Sequence, residues 1–258
     1  YGYPLGELLT LNDELRMLQQ RQWASAVYIV TPEASRYRQP EQYLLAADRT
    51  DRVAFPGSCL VLPAPDEGAA LAVSLAPGSP AETLLASLPN ARDVAHIPLA
   101  GGNPLAVYRI AGTAPQLADE FAVRGIEYRN GASGLRLDGV SSATPGVLRL
   151  RWTILGSPPA GPGSPFYRIQ VHLSGAGAPS TAQMDCAATR LHAGETLFTW
   201  VALPAQVAPA AATVASGAAL TVSAGTQSLD EFSLGPMRVL TDEASGAPLQ
   251  SLTLASNP

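Results

Sequence analysis

The clearest pattern of hydrophobic and polar residues lies in the middle of the chain, where three segments alternate with a period of two. They are 147–155, 167–173 and 197–203. This period predicts strands with one buried face and one solvated face, and such sheets are typically antiparallel. Runs rich in glycine and proline at 156–165 and 174–180 separate the segments and predict exposed loops. We therefore expect an antiparallel β-sandwich in this half of the chain.

The first part of the chain instead mixes helical and strand periods. Four leucines recur at helical spacing and predict an amphipathic helix over roughly 8–21. The apolar run 24–30 is typical of a strand buried on both faces. Ser79 opens a capping box with proline at the next position, which predicts a helix through Leu88. The leucines of the first helix are Leu8, Leu11, Leu15 and Leu18.

Short apolar runs bounded by turn residues predict the remaining elements of this part. We expect strands at 52–55, 59–62, 69–75, 93–99 and 105–110, and a second helix at 40–47. This order of helices and strands predicts a small α/β sandwich with a mainly parallel sheet, ending in an antiparallel hairpin around the turn 101–103.

A change of pattern after the first part divides the chain into domains. We predict a small α/β domain over 1–112, a β-sandwich domain over 113–241 and a weakly structured tail over 242–258. The dipeptide Asn130-Gly131 predicts a hairpin turn within the second domain. Two later strands are expected at 218–223 and 236–240, whereas 207–217 fits a strand or a loop. The predicted fold class is therefore α/β plus all-β.

Charge, length and cysteines limit the classes of function. The 258-residue chain has a net charge of −5 and shows no basic patch, so nucleic acid is not an expected partner. No run approaches the ~20 apolar residues of a membrane span, and the abrupt start at Tyr1 suggests a piece of a longer protein. All basic residues are arginine, which we attribute to compositional bias rather than to anion binding.

We expect Cys59 and Cys186 to be buried free thiols, with a disulfide as the alternative.

Candidate catalytic groups do not form a recognisable constellation. The three histidines are scattered, so we predict no metal site; we expect His172 to be solvated and His96 to be structural. No nucleophile elbow or phosphate-binding glycine motif is present. We therefore predict no catalytic, cofactor-binding or metal-binding residue and no cofactor. Adjacent carboxylates near element ends are expected to be solvated: Asp13/Glu14, Asp66/Glu67, Asp119/Glu120, Asp230/Glu231 and Asp242/Glu243.

The aromatic residues of the central strands offer one candidate binding surface. Trp152 shares a strand face with three aliphatic residues and is expected in the core. Trp200 and Phe198 share a face of another strand. Stacking on a sugar ring is one possible use of that face and core packing is the other, with Trp200 as the best candidate for an exposed platform.

Several sequence segments resemble a known group of bacterial proteins. YGYPLGELLTLNDELRML, followed by AVYIV, CLVLP and LAVYRI, resembles the soluble region after the membrane helices of certain polytopic glycosyltransferases. That group uses lipid-linked sugars and is protein-mannosyltransferase-like or aminoarabinose-transferase-like. LRLRWTIL, FYRIQVHLSGAG, LHAGETLFTWVALP and LGPMRVL resemble a β-sandwich at the end of some members. The resemblance extends from Tyr1 to about Leu240; the run AQVAPAAATVASGAALTV departs from it.

The resemblance implies that catalysis belongs to a membrane part that this chain lacks. It implies a non-catalytic accessory domain on the extracytoplasmic face of the cell membrane, anchored by segments absent from the chain. Its partners would be the membrane-embedded part of its own polypeptide and a glycan acceptor or lipid-linked donor. The alternatives are a stand-alone extracellular carbohydrate-binding or adhesion module, and a structural or assembly domain without a small ligand.

Overall fold

Strands make up most of the described chain, and two α-helices accompany them. The structure is a computed structural model that describes residues 5–32, 52–98, 104–112, 117–141, 144, 146–157, 163–173, 180–203, 218–228, 238–242 and 250–252. The chain divides into two units. The first comprises Tyr1–Pro115 and Ala188–Thr196, and the second comprises Gln116–Ala187 and Leu197–Pro258. The structure is therefore a β-rich α/β fold.

The first unit contains a five-stranded sheet with strand order β2-β1-β4-β6-β5. Strand β1 pairs in parallel with β2 and β4, whereas β6 is antiparallel to both β4 and β5. A 3-10 turn at Pro65–Glu67 precedes β4. The elements are α1 (Leu5–Arg21), β1 (Ala26–Thr31), β2 (Arg52–Pro56), β3 (Cys59–Leu62), β4 (Ala70–Ser74), α2 (Pro80–Ser87), β5 (Ala91–Ile97) and β6 (Leu105–Ile110).

Helix α1 packs its leucine stripe into the core of the first unit. Leu8, Leu11 and Leu15 are fully buried there, and Leu18 lies against the same cluster. Burial contributes roughly 1.5–3 kcal/mol for each such side chain. All six residues of β1 are buried as well, so the amphipathic helix and the doubly buried strand are both confirmed. Neither helix of the described chain is long and apolar enough to cross a membrane.

Helix α2 begins where the capping box predicts. The Ser79 side chain accepts a hydrogen bond from the Glu82 backbone N–H, and Pro80 occupies the first turn. The proline suits this position because its missing N–H would have no partner inside the helix. The helix buries Ala81, Leu84 and Leu85.

A short segment, 188–196, returns to the first unit late in the chain. The Thr189 backbone N–H donates to the Ala54 carbonyl oxygen at 3.0 Å, and the Thr189 hydroxyl accepts from the Ala54 N–H at 3.1 Å. These bonds hold the segment beside β2. The sequence does not predict this return, because its partners are more than a hundred positions away.

The second unit consists of antiparallel strands. Strand β8 pairs with β7 and β9, β10 with β11 and β13, and β14 with β13 and β7. A further strand, β15, pairs with β13. The strands are β7 (Phe121–Asn130), β8 (Ser133–Ser141), β9 (Val147–Gly156), β10 (Gly163–Leu173), β11 (Ser180–Ala187), β12 (Thr196–Ala202), β13 (Ala218–Ser228), β14 (Arg238–Asp242) and β15 (Gln250–Leu252).

Strand β9 has the alternation that its sequence predicts, but its second face is half-buried rather than solvated. Leu148, Leu150, Trp152 and Ile154 are buried, and the residues between them are half-buried. The predicted hairpin at Asn130-Gly131 is also present, because Asn130 pairs with Ser133 across the turn and Gly131 has φ 60°. That positive φ is readily adopted by glycine.

One prediction for the second unit is wrong in part, and one strand was missed. The expected loop 156–165 ends earlier, since Gly163–Pro165 already pair with β13 at the start of β10. Strand β11 was not predicted, because its inward residues include small ones such as Ala182 that give a weak apolar signal. The predicted helix 40–47, the turn 101–103 and the ambiguous run 207–217 lie outside the described residues.

Candidate functional site

The predicted aromatic surface on β12 is only partly exposed. Trp200 is half-buried, whereas Phe198 has no exposed surface. Any glycan contact on this strand therefore depends on Trp200, with Phe198 beneath the surface. Trp152 lies in the core as predicted, where its indole N–H donates to the Thr199 hydroxyl at 3.1 Å.

The histidines lie apart and have local partners. His172 sits on the polar side of β10, with its two ring nitrogens 3.1 Å and 3.0 Å from the hydroxyls of Thr181 and Thr221. His96 has a local partner within its own strand, since its Nε2 lies 2.9 Å from Asp93 Oδ2, but its side chain is exposed. Within the described residues, no three His, Cys, Asp or Glu side chains lie close enough together to hold a metal ion.

Neither cysteine is a free thiol. Cys59 and Cys186 are both fully buried and disulfide-bonded. The expectation of free thiols is therefore wrong. Burial alone did not discriminate between the alternatives, because free and bonded cysteines are both commonly buried.

Five polar side chains of the first unit converge into what we call the Glu195 cluster: Tyr28, Glu67, Arg190, His192 and Glu195. The Tyr28 hydroxyl oxygen lies 2.9 Å from Glu195 Oε1 and 3.1 Å from Glu67 Oε2. The His192 backbone N–H donates to Glu195 Oε2 at 2.6 Å. Arg190 Nη1 is 3.7 Å from Glu195 Oε1 and 4.0 Å from Glu67 Oε1. The cluster thus joins β1, the 3-10 turn and the segment 188–196.

Burial controls the charge of this cluster. The Glu195 side chain is fully buried, and this burial raises its pKa to about 7 despite lowering contributions from the His192 N–H, Tyr28 and Arg190. Burial also raises the pKa of Tyr28, and the nearby carboxylates raise it further. Tyr28 therefore remains a neutral phenol, and Glu195 can hold a proton up to neutral pH.

The geometry of Tyr28 is consistent with a protonated carboxyl. Its hydroxyl has one proton but lies within hydrogen-bond distance of carboxyl oxygens from both Glu67 and Glu195. The phenol can donate its proton to only one of these oxygens. The other contact is a hydrogen bond only if that carboxyl is protonated and donates to the phenol oxygen. Glu195 has no exposed surface through which it could contact a ligand. Its protonation state therefore affects how firmly the segment 188–196 is held against the first unit.

The second unit has a contrasting set of charges, which we call the β9 arginine network. Arg149 Nη2 lies 2.6 Å from Asp119 Oδ1, and Arg151 Nε donates to Glu120 Oε2 at 2.8 Å. The Ser141 hydroxyl donates to Asp119 Oδ2 at 2.8 Å. The Glu120 side chain is 1% exposed. The prediction that this carboxylate pair is solvated is therefore wrong for Glu120.

An open cleft of about 530 Å³ lies where α1 ends and β1 approaches. It is lined by Arg16, Gln19, Gln20, Trp23, Ala24 and Ser25. Three large hydrophobic side chains are exposed among the described residues, and Trp23, at 89%, is by far the most exposed of them. Trp23 was not among the predicted site residues, although a tryptophan directly after an amphipathic helix pattern was the available signal.

Comparison of the chain with protein-family models, with curated proteins and with solved structures found no match in any of the three. Function is therefore inferred from three local features: the buried disulfide, the half-buried Trp200 and the cleft beside Trp23.

Proposed function

We propose that this chain is a non-catalytic, extracytoplasmic accessory module of a glycosyltransferase-like membrane protein. It is attached to the membrane-embedded part of its own polypeptide and helps to position a glycan acceptor or a lipid-linked sugar donor. The observation that carries this proposal is that both cysteines, Cys59 and Cys186, are disulfide-bonded. The sequence resemblance supplies the glycosyltransferase context.

The disulfide supports the proposed location through its chemistry. Disulfides form and persist in oxidising compartments outside the cytosol, whereas cytosolic thiols are kept reduced. Both sulfur-bearing residues are fully buried, so the bond is a structural link that is shielded from exchange rather than an exposed redox pair. The extracytoplasmic face of the membrane provides the environment that this bond requires.

The proposal includes a finer architecture for each unit. We propose a small α/β sandwich for the first unit and an antiparallel β-sandwich for the second. The antiparallel ladders of the second unit support this, as does the alternation of buried and half-buried residues along β9. A sandwich needs a second layer over the buried face, because Trp152 and its neighbours on that face are fully excluded from solvent.

The test is made on the native polypeptide. Source membranes are quenched with N-ethylmaleimide, and peptides are mapped by mass spectrometry before and after reduction. We expect a linked peptide pair containing Cys59 and Cys186, and membrane-spanning peptides in the same polypeptide. Free thiols at both positions, or a polypeptide without membrane spans, would remove the transferase context. Turnover of a lipid-linked sugar by the purified chain would contradict the non-catalytic role.

A second candidate function is a stand-alone extracellular carbohydrate-binding or adhesion module. The half-buried Trp200 on β12 favours it, because a partly exposed indole can stack on the apolar face of a sugar ring. In that case Trp200→Ala weakens glycan binding and leaves the unfolding transition in place. A large loss of stability in this variant, with no glycan binding by the parent protein, would instead assign Trp200 to packing.

A further inference from the structure

The last two turns of α1 carry a group of polar side chains that is separate from the leucine stripe. Arg16, Gln19 and Gln20 follow one another at positions i, i+3 and i+4 and therefore lie on one face of the helix. Trp23 comes two residues after the end of α1 and lines the same cleft. Arg16 and Gln20 are exposed and Gln19 is half-buried, so this face presents planar polar groups beside an indole.

Trp23 occupies a backbone position that is usually given to glycine. The Ala24 N–H donates to the Gln19 carbonyl at 3.0 Å and the Trp23 N–H to the Gln20 carbonyl at 3.3 Å. These two bonds define a Schellman motif, whose residue after the cap adopts a left-handed conformation and is most often glycine. Trp23 adopts it with φ 51°. A tryptophan at this position stores strain that glycine would avoid.

The same side chain also leaves its apolar surface in water. Trp23 is 89% exposed, whereas Trp152 is fully buried and Trp200 is half-buried. The strained backbone lowers stability, and the exposed indole gains no burial on folding that would compensate for it. A ligand that covers the indole would supply the missing burial, since large aromatic rings bring the greatest contact area to binding sites.

We propose that this cleft is a saccharide-binding site with Trp23 as its stacking platform. The apolar C–H face of a pyranose ring lies against the indole. The guanidinium of Arg16 and the amide of Gln20 bond the hydroxyl groups at the ring edge, since planar groups with several donors suit paired oxygen acceptors. A cleft of about 530 Å³ is within the size range of small-ligand sites.

The lining suits a sugar, which has both an apolar ring face and polar hydroxyl groups. The exposed surface of the cleft is mainly apolar, while four of its six residues bear polar side chains. This inference rests on the proposed role in positioning a glycan and identifies where that glycan binds. It differs from the surface on β12, because Trp23 and Trp200 belong to different units.

The test compares the 258-residue chain with its Trp23→Gly variant on a printed array of neutral hexose, N-acetylhexosamine and hexuronic-acid oligosaccharides. Hits are then titrated by calorimetry. We expect the parent chain to bind at least one of these classes and Trp23→Gly to bind it roughly tenfold more weakly or worse. Because glycine suits the left-handed position, we also expect the Tm of Trp23→Gly to rise by about 2–4 °C. Lost binding with raised stability would not be produced by simple unfolding.

Three further variants make the test specific. Trp23→Phe keeps a stacking ring and should retain binding. Leu9→Ala removes another exposed hydrophobic side chain of α1, outside the cleft lining, and should bind like the parent. Arg16→Ala removes a hydroxyl partner and should weaken binding without changing the Tm. The proposal is overturned if the parent binds no saccharide on the array, or if Trp23→Gly binds as tightly as the parent. The accessory role is tested separately. Reduced cysteines in peptides from source membranes would contradict that role, but they would not change whether the chain binds a saccharide on the array.

Discussion

The Glu195 cluster of the first unit and the β9 arginine network of the second solve the problem of buried charge in opposite ways. In the Glu195 cluster, a fully buried carboxyl meets a phenol and another carboxyl, while Arg190 stays 3.7 Å away. In the β9 network, Asp119 and Glu120 each have an arginine within hydrogen-bond distance. In the first arrangement, the buried Glu195 carboxyl keeps its proton and is neutral. In the second, the carboxylates are charged and are paired with arginines.

This difference gives the two units opposite responses to pH. Burial raises the pKa of Glu195 to about 7. Burial also acts to raise the pKa of Asp119, but hydrogen bonds from Arg149 and Ser141 and the arginine charge outweigh it and lower that pKa. Stability from Asp119 is therefore present above its ordinary pKa and lost as the pH falls through the lowered value. Stability from Glu195 is complete in acid and lost as the pH rises.

The largest effect is expected from breaking the β9 network. Arg151→Met should reduce the free energy of unfolding by about 3 kcal/mol or more, because the nearly buried Glu120 loses the partner at 2.8 Å. Arg149, at 3.8 Å from Glu120, compensates only in part. Urea denaturation at pH 7 measures the loss, and hydrogen exchange in peptides from Val147–Gly156 assigns it to the second unit.

A double variant provides the control for this prediction. Glu120→Gln combined with Arg151→Met removes the uncompensated carboxylate and should recover part of the lost stability, because the main cost is an unpaired buried charge. If Arg151→Met changes the unfolding free energy by only a few tenths of a kcal/mol, Glu120 is adequately paired by other groups and the comparison between the two units fails.

The next effect is the response of the Glu195 cluster to pH. Below pH 4.5, the usual pKa of the side chain, Glu195 is protonated in both the folded and the unfolded state. As the pH rises to about 7, the folded state must keep a proton that the unfolded state releases. We expect this to cost up to roughly 3 kcal/mol of stability between these limits, with little further change above them.

Glu195→Gln isolates that response. Glutamine stays neutral, so the difference in unfolding free energy between the parent and this variant should follow the titration of Glu195. The other titratable groups that face Glu195 are Glu67, Arg190, His192 and Tyr28, and they are common to both proteins. Urea unfolding at intervals from pH 4.5 to 8 measures the difference; a constant difference over this range would show that Glu195 is not protonated in the folded state.

Local sequence patterns predict the elements of this fold better than they predict its polar clusters. The leucine period of α1 and the Ser79 cap of α2 are local signals, and both are confirmed. Strand β11 was missed because small inward residues such as Ala182 weaken its alternation. An element was predicted correctly when the residues within it formed a clear apolar period or cap, and it was missed when they did not.

The Glu195 cluster could not be predicted in the same way. Tyr28, Glu67 and Glu195 are brought together by tertiary structure, and each is unremarkable in its own segment. The bonded state of Cys59 and Cys186 could not be predicted either, because local sequence does not distinguish a bonded cysteine from a buried free one. Trp23 is different: its position after a helical pattern was visible, but its left-handed backbone and exposure were needed to distinguish it from a core aromatic.

The smallest effect is expected for an ion pair of the second unit that lies outside the β9 network. Arg168 Nε and Nη2 each donate to one oxygen of Asp185 at 2.8 Å across the β10–β11 pair. These side chains are 26% and 37% exposed, compared with 1% for Glu120. Arg168→Met should therefore reduce the free energy of unfolding by less than about 1 kcal/mol, because solvent compensates Asp185 when its partner is removed.

Arg168→Met and Arg151→Met make the same chemical change on two antiparallel strands, so burial of the carboxylate partner is the main difference between them. Urea unfolding at low salt and at high salt separates their behaviour further. The small effect of Arg168→Met should shrink as salt screens the exposed pair, whereas the effect of Arg151→Met should persist because screening acts weakly on buried charges. Equal losses from the two substitutions would mean that pairing geometry rather than burial sets the energy, since the Arg168–Asp185 contact has two bonds and Arg151–Glu120 has one.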